Sequence, residues 1–196
     1  MARKKSIRVG ADRFIRWAET LEEYYEEVTD SDLSARAVTW ACEAAVVKLY
    51  VYFEQLMLHA LVAAINNDTT TLATSTGVKF PKHLTDEVCE YIVTSGGYFD
   101  FRGRAGLIAL LKRFVPSDHF LVETVKLPKY RATLERLVAL RNYAAHESTV
   151  GKKAMKEAVD VGLGSAGVWL KKDDNFLDLT ARLKELAGDL RGAAPY

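Results

Sequence analysis

Apolar residues recur along this chain at the three-to-four-residue spacing of an α-helix almost throughout, and no stretch alternates as a strand does. Phe14, Trp17, Leu21 and Tyr24 or Tyr25 set the first repeat and predict a helix over about residues 11 to 29. Asp30-Ser31 offers an N-cap for a second, much longer helix that runs to about Asn66 without glycine or proline. Its inner stripe reads Val47, Tyr50, Glu54, Met57, Leu58, Leu61 and Ile65, with Lys48, Tyr52, Gln55 and His59 on another face. The Thr-rich segment from Asp68 to Lys82, with Pro81 near its end, reads as a loop. A short helix is expected from about Thr85 to Thr94, broken by Gly96-Gly97. The aromatic loop Tyr98-Phe99-Asp100-Phe101 then leads to a helix over about Arg104 to Phe114, stopped by Pro116. Pro128 suits the first turn of the next helix, which reaches about Glu147. After Gly151 a short helix runs to about Val161, and a glycine-rich turn follows. The last helix, about Asp174 to Leu190, carries Phe176, Leu179, Leu183, Leu186 and Leu190 at coiled-coil-like spacing. These elements predict an all-α fold, a helical bundle of four to five main helices with short accessory helices, as one domain over residues 1–196. Residues 1–10 read as a basic arm and 191–196 as a flexible tail.

Composition bounds the picture without changing it. The 196 residues are 49% hydrophobic and 27% charged with only four prolines, enough to build a globular core. A net charge of +1 excludes a global field that would recruit nucleic acid. The local balance differs: between Lys126 and Lys156, eight Lys/Arg face two acids, Glu135 and Glu147, a net +6. A solvated helix face is the ordinary reading of such a run. Cys42 and Cys89 lack CxxC spacing, so buried reduced thiols are expected, with no zinc site, no other metal and no cofactor. Met1 to Arg8 has no following apolar stretch and does not read as a signal peptide. Lys48, Glu54, Gln55 and His59 interrupt the apolar run from Ala44 to Ile65, which argues against a membrane span. A soluble, cytoplasmic protein is expected.

Candidate chemistry concentrates in Leu140-Arg141-Asn142-Tyr143-Ala144-Ala145-His146. Tyr130, Leu134, Leu137 and Val138 form the apolar stripe of that helix, and the stripe continues through Arg141 to Ala144 and Ala145. Arg141 therefore projects from the inward face, where an unpaired charge costs several kcal/mol unless it is partnered or lies in a wet cleft. Val138, Asn142 and His146 form an adjacent row. One reading pairs Arg141 with a core carboxylate and leaves His146 to cap the helix C-terminus. The other uses the permanently cationic arginine for a phosphate and the histidine for proton transfer near neutral pH.

The motif resembles the R-x4-6-H signature of the HEPN superfamily, small α-helical proteins of which many are metal-independent endoribonucleases of toxin–antitoxin and other defence systems. Asn142 matches that family's polar residue after the arginine, and the motif lies late in a helix that follows a long one. Two residues after His146 stands Ser148, where one subgroup of the family has a tyrosine. The resemblance covers roughly Asp30 to Leu190. It implies that His146 removes the proton of an RNA 2′-hydroxyl, that Arg141 stabilises charge on the pentacoordinate phosphorus, and that Asn142 orients His146 or holds a phosphate oxygen. A toxin or antiphage effector is implied, with RNA as substrate and a neutralising antitoxin or regulatory protein as a further partner. The alternative is a HEPN-like module without catalysis that binds RNA, a nucleotide or a protein.

Five helical steps place Arg141 and His146 about 140° apart, so one helix does not easily aim both at one atom. A homodimer facing its helices across a two-fold axis resolves this with a composite active site, as the family is thought to do. Glu54, a carboxylate on an apolar stripe, needs a partner and is the candidate to support Arg141. Lys152, Lys153 and Lys156 follow the motif and are candidates for RNA phosphates, or a solvated face. His59 reads as a surface residue, and His83 and His119 show no ligand-like spacing. The glycines of Gly162-Leu163-Gly164-Ser165-Ala166-Gly167 fit G-x-G-x-x-G but lack the strand a dinucleotide site needs, so a turn is expected. Glu22, Glu23, Glu26 and Glu27 read as a charged helix face rather than a metal site.

Overall fold

A computed structural model of the chain describes residues 5–82, 84–159 and 164–195. Among them are ten α-helices and one 3₁₀ turn, and no strand, so the fold is all-α. Four helices are long: α1 (Ile7–Thr29), α2 (Ala35–Asn67), α7 (Arg131–His146) and α10 (Asn175–Ala193). Between them lie α3 (Thr70–Thr76), α4 (Asp86–Thr94), α5 (Gly103–Leu111), α6 (Phe120–Lys126), the 3₁₀ turn Pro128–Tyr130, α8 (Thr149–Val159) and α9 (Ala166–Leu170).

The central element is α2, which packs against α1, α4, α7 and α9. From Ala60 to Asn66 every residue is buried, so the helix is enclosed on all sides there rather than amphipathic. It is long and apolar enough to cross a membrane by composition, yet 56% of that window is buried within the bundle. Phe14, Phe53 and Phe101 meet edge-on in the core beside it. On the opposite flank α10 lays Phe176, Leu179, Leu183, Leu186 and Leu190 against α1, and Phe176 stacks on Tyr25 at 4.9 Å. Tyr25, not Tyr24, is thus the buried member of that pair.

Several boundaries differ from expectation for identifiable reasons. The first helix begins at Ile7, which is fully buried, so residues 7–10 belong to the bundle and not to an arm. At the other end α10 continues to Ala193, and buried Ala194 accepts a hydrogen bond from Arg8 Nη2 at 2.8 Å, tying residues 191–194 down. The cap of α2 is Ser34, whose hydroxyl accepts from Ala37 N–H; Asp30 instead closes α1. The Thr-rich segment holds α3, with Gly77 in the left-handed region as its end. Helix α5 stops at Leu111, short of Phe114. Helices α6 and α9 are short and lack a periodic signature, and were not expected. Position 161, the expected end of α8, lies outside the described residues.

Two polar expectations also change. Glu22 is not part of a solvated face: it accepts from the Thr180 hydroxyl and from Lys184 Nζ, both at 2.6 Å, joining α1 to α10. His59 is half-buried between α2 and α1, its Nε2 2.9 Å from the Ser6 carbonyl. A carbonyl only accepts, so Nε2 carries the proton. Burial, reinforced by nearby Arg13 and Lys5, keeps the ring below its usual pKa.

Candidate functional site

Arg141 sits on the side of α7 that faces α2. Its guanidinium lies over the Tyr50 ring, 4.6 Å from the centroid, and Nη1 donates to Asn142 Oδ1 at 3.0 Å. The Nε atom is buried and makes no hydrogen bond. Among the described residues no ion pair includes Arg141. The core-carboxylate reading of this arginine therefore finds no partner. Instead Arg141 and Asn142 line a cleft of about 420 Å³ with Tyr50, Asp100, Phe101 and Arg102.

Glu54 stands one turn beyond Tyr50 on α2. Burial raises its carboxyl to about 6, with Asp100 adding to the rise; the Arg141 charge and the Tyr50 hydroxyl pull the other way without cancelling it. Arg141 is thus close enough to be felt by Glu54 but not bonded to it. The Tyr50 phenol is driven above its ordinary value, by burial first and then by the Glu54 charge. Its hydroxyl reaches the Phe101 carbonyl at 3.5 Å, a weak bond.

The far wall of the cleft is the segment from Asp100 to Gly103, which follows the exposed Tyr98. Gly96 (φ 74°) and Gly103 (φ 66°) bracket it in the left-handed region that glycine tolerates. Buried Phe101 anchors it against Tyr50 and Phe53. Arg104 braces the next turn by donating to the Val125 and Lys126 carbonyls, which lie at the C-terminal end of α6 where no further helical turn satisfies them. Tyr50, Asp100 and Arg102 were missed as site residues in the sequence. The aromatic loop between two glycine positions was the available signal, and Tyr50, four residues before Glu54, reads as an ordinary core tyrosine.

His146 does not line this cleft. It is the last residue of α7 and is exposed; Glu147 follows in the left-handed region (φ 46°), donating its N–H to the Tyr143 carbonyl at 2.8 Å, so the chain turns directly after the histidine. The structure thus brings Arg141 and Asn142 together, sets Glu54 behind them, and leaves His146 at the helix end. Lys152, Lys153 and Lys156 are exposed on α8 around an open surface depression, Lys153 reaching Glu157 at 4.0 Å. Met155 and Val159 attach that helix to the bundle.

Other candidates resolve into structural roles. His119 caps α6, its Nδ1 accepting from Leu121 N–H at 3.2 Å. His83 lies outside the described residues. Cys42 and Cys89 are buried thiols, both raised to about 11 chiefly by burial. Of the glycine-rich run, positions 162 and 163 lie outside the described residues. Ser165 caps α9, and a side chain at Gly167 would collide with the Thr39 carbonyl of α2. A larger cleft of about 480 Å³ between α7, α9 and α10 contains Lys129, Arg182 and Glu185. Lys129 and Arg182 are already bound to Glu185, Lys129 also to Asp189, and Arg136 gives Nε to the Ala158 carbonyl; with two carboxylates, Glu185 and Asp178, in its lining, this cleft is the weaker candidate for an anion. No protein-family model, no curated protein and no solved structure matches the chain.

Proposed function

We propose that this protein is a metal-independent endoribonuclease of HEPN type that cleaves RNA by 2′-hydroxyl transesterification, serving as a toxin or antiphage effector. The observation that carries the reading is Arg141: a permanent cation held half-buried on an aromatic ring, with no carboxylate bonded to it and one donor unused. A charge in that state is best explained by an anionic ligand, and a phosphodiester fits it. Arg141 stabilises the charge that develops on the phosphorus, and Asn142, already bonded to the guanidinium, fixes its orientation. His146 takes the 2′-hydroxyl proton, and the attacking oxygen displaces the 5′-oxygen, which leaves with a proton from a second acid.

His146 stands at the exposed end of α7 and does not line the Arg141 cleft, which favours a site completed by a second copy. Two copies facing across a two-fold axis supply the missing histidine and also provide one base and one acid. Lys152, Lys153 and Lys156 extend the positive surface beside the motif. A neutralising protein would act by covering the dimer cleft.

The same displacement of His146 favours a second reading, a module that holds RNA or a nucleotide on Arg141 without cutting it. Incubating the protein with mixed RNA in chelator separates the two. Products ending in 2′,3′-cyclic phosphate, lost in folded Arg141→Ala and His146→Ala proteins, are expected of the nuclease. Binding without products assigns the module, and undiminished cleavage by both variants refutes the mechanism.

A further inference from the structure

The cleft at Arg141 does not end at Asp100. A second depression of about 360 Å³ shares Asp100, Phe101 and Arg102 with it and continues along α5 to Arg113. Arg141 lines the first depression, Arg113 the second and Arg102 both, so the three arginines flank the trough that the adjoining depressions form, and none of the three is in an ion pair among the described residues. The single carboxylate lining the trough is Asp100.

The loop that forms the shared wall has an alternating pattern. Residues 98 to 102 belong to no helix, and exposure alternates along them. Phe99 and Phe101 are packed, their rings 5.9 Å apart and Phe101 against Tyr50, while Tyr98, Asp100 and Arg102 are exposed. Tyr98 is 97% exposed, the most exposed large apolar side chain described. It lies at most about 7 Å of backbone from Asp100. Phe101, three residues on, is buried, so an aromatic ring stands in water close to an anchored point of the loop and to arginines that form no ion pair among the described residues.

We propose that this trough is the binding track for single-stranded RNA, in which Arg102 and Arg113 take successive phosphates leading from Arg141 and Tyr98 stacks on an unpaired base. Unpaired cations along a groove combined with an exposed aromatic are what single strands require, because every base offers a π-face while duplex bases are already stacked. The assignment deepens the ribonuclease reading and rests on it for the placement of the phosphate at Arg141. It identifies the substrate as unpaired RNA rather than duplex.

The test measures binding of a fluorescent single-stranded RNA, and of the same strand in a duplex, to full-length His146→Ala protein across a salt series; cleavage by otherwise wild-type protein is followed in parallel. Tyr98→Ala is expected to weaken single-strand binding roughly 5- to 150-fold, with Tyr98→Trp restoring it. Arg102→Ala and Arg113→Ala are each expected to flatten the logarithmic salt dependence by about 0.7. All three lie on the surface, so folding is checked by unchanged melting. Cleavage of RNA with a KM indifferent to Tyr98, Arg102 and Arg113 overturns the track but leaves the nuclease standing. Tyr98-dependent binding without cleavage keeps the track and removes the nuclease. Duplex bound as tightly as single strand, no RNA bound, or poly-glutamate peptide bound as tightly as RNA and insensitive to Tyr98→Ala, each overturns the track.

Discussion

Arg104 follows directly on the segment that walls the Arg141 cleft, and the fold treats the two arginines in opposite ways. Arg104 gives its guanidinium to two backbone carbonyls at the end of α6, whereas Arg141 bonds only its neighbour Asn142 and buries Nε without a partner. The carboxylates repeat the contrast. Glu22 is held by Lys184 and Thr180 between α1 and α10, while Glu54, on the inner side of α2, is in no ion pair among the described residues and is pushed up to about 6. At Arg104 and Glu22 the fold completes the bonding, although Arg13, over Trp17, also buries Nε without a partner. Around Arg141 the bonding is incomplete although the residues are packed, and under-satisfied polar groups of that kind concentrate at functional sites.

Alanine at each arginine tests that contrast most strongly. Arg141→Ala is expected to lower kcat for RNA cleavage roughly 10²–10³-fold, the usual cost of one donor that stabilises a transition state. Its melting temperature should stay within about 4 °C of wild type, since only a cation–π contact and one side-chain bond are lost. Arg104→Ala should do the reverse. It leaves two helix-end carbonyls unpaired and costs roughly 1–3 kcal/mol of stability. Thermal melting beside single-turnover cleavage reads both. If Arg141→Ala melts as low as Arg104→Ala and the surviving folded protein cuts normally, Arg141 is a structural residue.

The carboxylate pair gives a smaller effect of opposite sign. Glu22→Ala strands Lys184 and removes the acceptor of Thr180, and a loss of roughly 1–3 kcal/mol is expected in urea unfolding. Glu54→Gln should stabilise the protein at pH 7. A carboxyl whose folded pKa lies above its ordinary 4.5 favours folding when protonated, so its contribution is lost as pH rises from 4.5 to about 6. The full shift corresponds to about 2 kcal/mol, and partial solvation of the side chain reduces the expected gain to about 1 kcal/mol. A Glu54→Gln protein less stable than wild type at pH 7 would show that the carboxylate is bonded after all.

The four long helices were legible because their apolar repeat is continuous over many turns, and the inward position of Arg141 followed from the stripe of Tyr130, Leu134 and Leu137. The short helices were not. A segment of five to seven residues such as Phe120–Lys126 or Ala166–Leu170 is defined by its caps and by what it packs on, not by periodicity. The cleft was half legible for the same reason. Arg141, Asn142 and Glu54 carry a polar signal on an apolar background, but Tyr50 reads as core. Asp100 and Arg102 come from a loop whose position depends on Phe101 reaching Tyr50 and Phe53 from about fifty residues away. Likewise His59 and Glu22 looked like surface residues because the helices that cover them are distant in sequence.

The finest distinction between the bonded and the unbonded carboxylate is its effect on ligand affinity as pH changes. Glu54 loses its proton near pH 6, within electrostatic reach of Arg141, so an RNA phosphate at Arg141 meets one more negative charge at pH 7 than at pH 5. Affinity should therefore rise as pH falls through 6, by roughly 3- to 10-fold for one unit charge acting across a partly solvated site. The comparison is made in His146→Ala protein, which does not cleave the probe, with and without Glu54→Gln. Loss of the pH dependence in the double variant assigns it to Glu54. Its persistence there moves the titrating group elsewhere and leaves Glu54 as a structural residue.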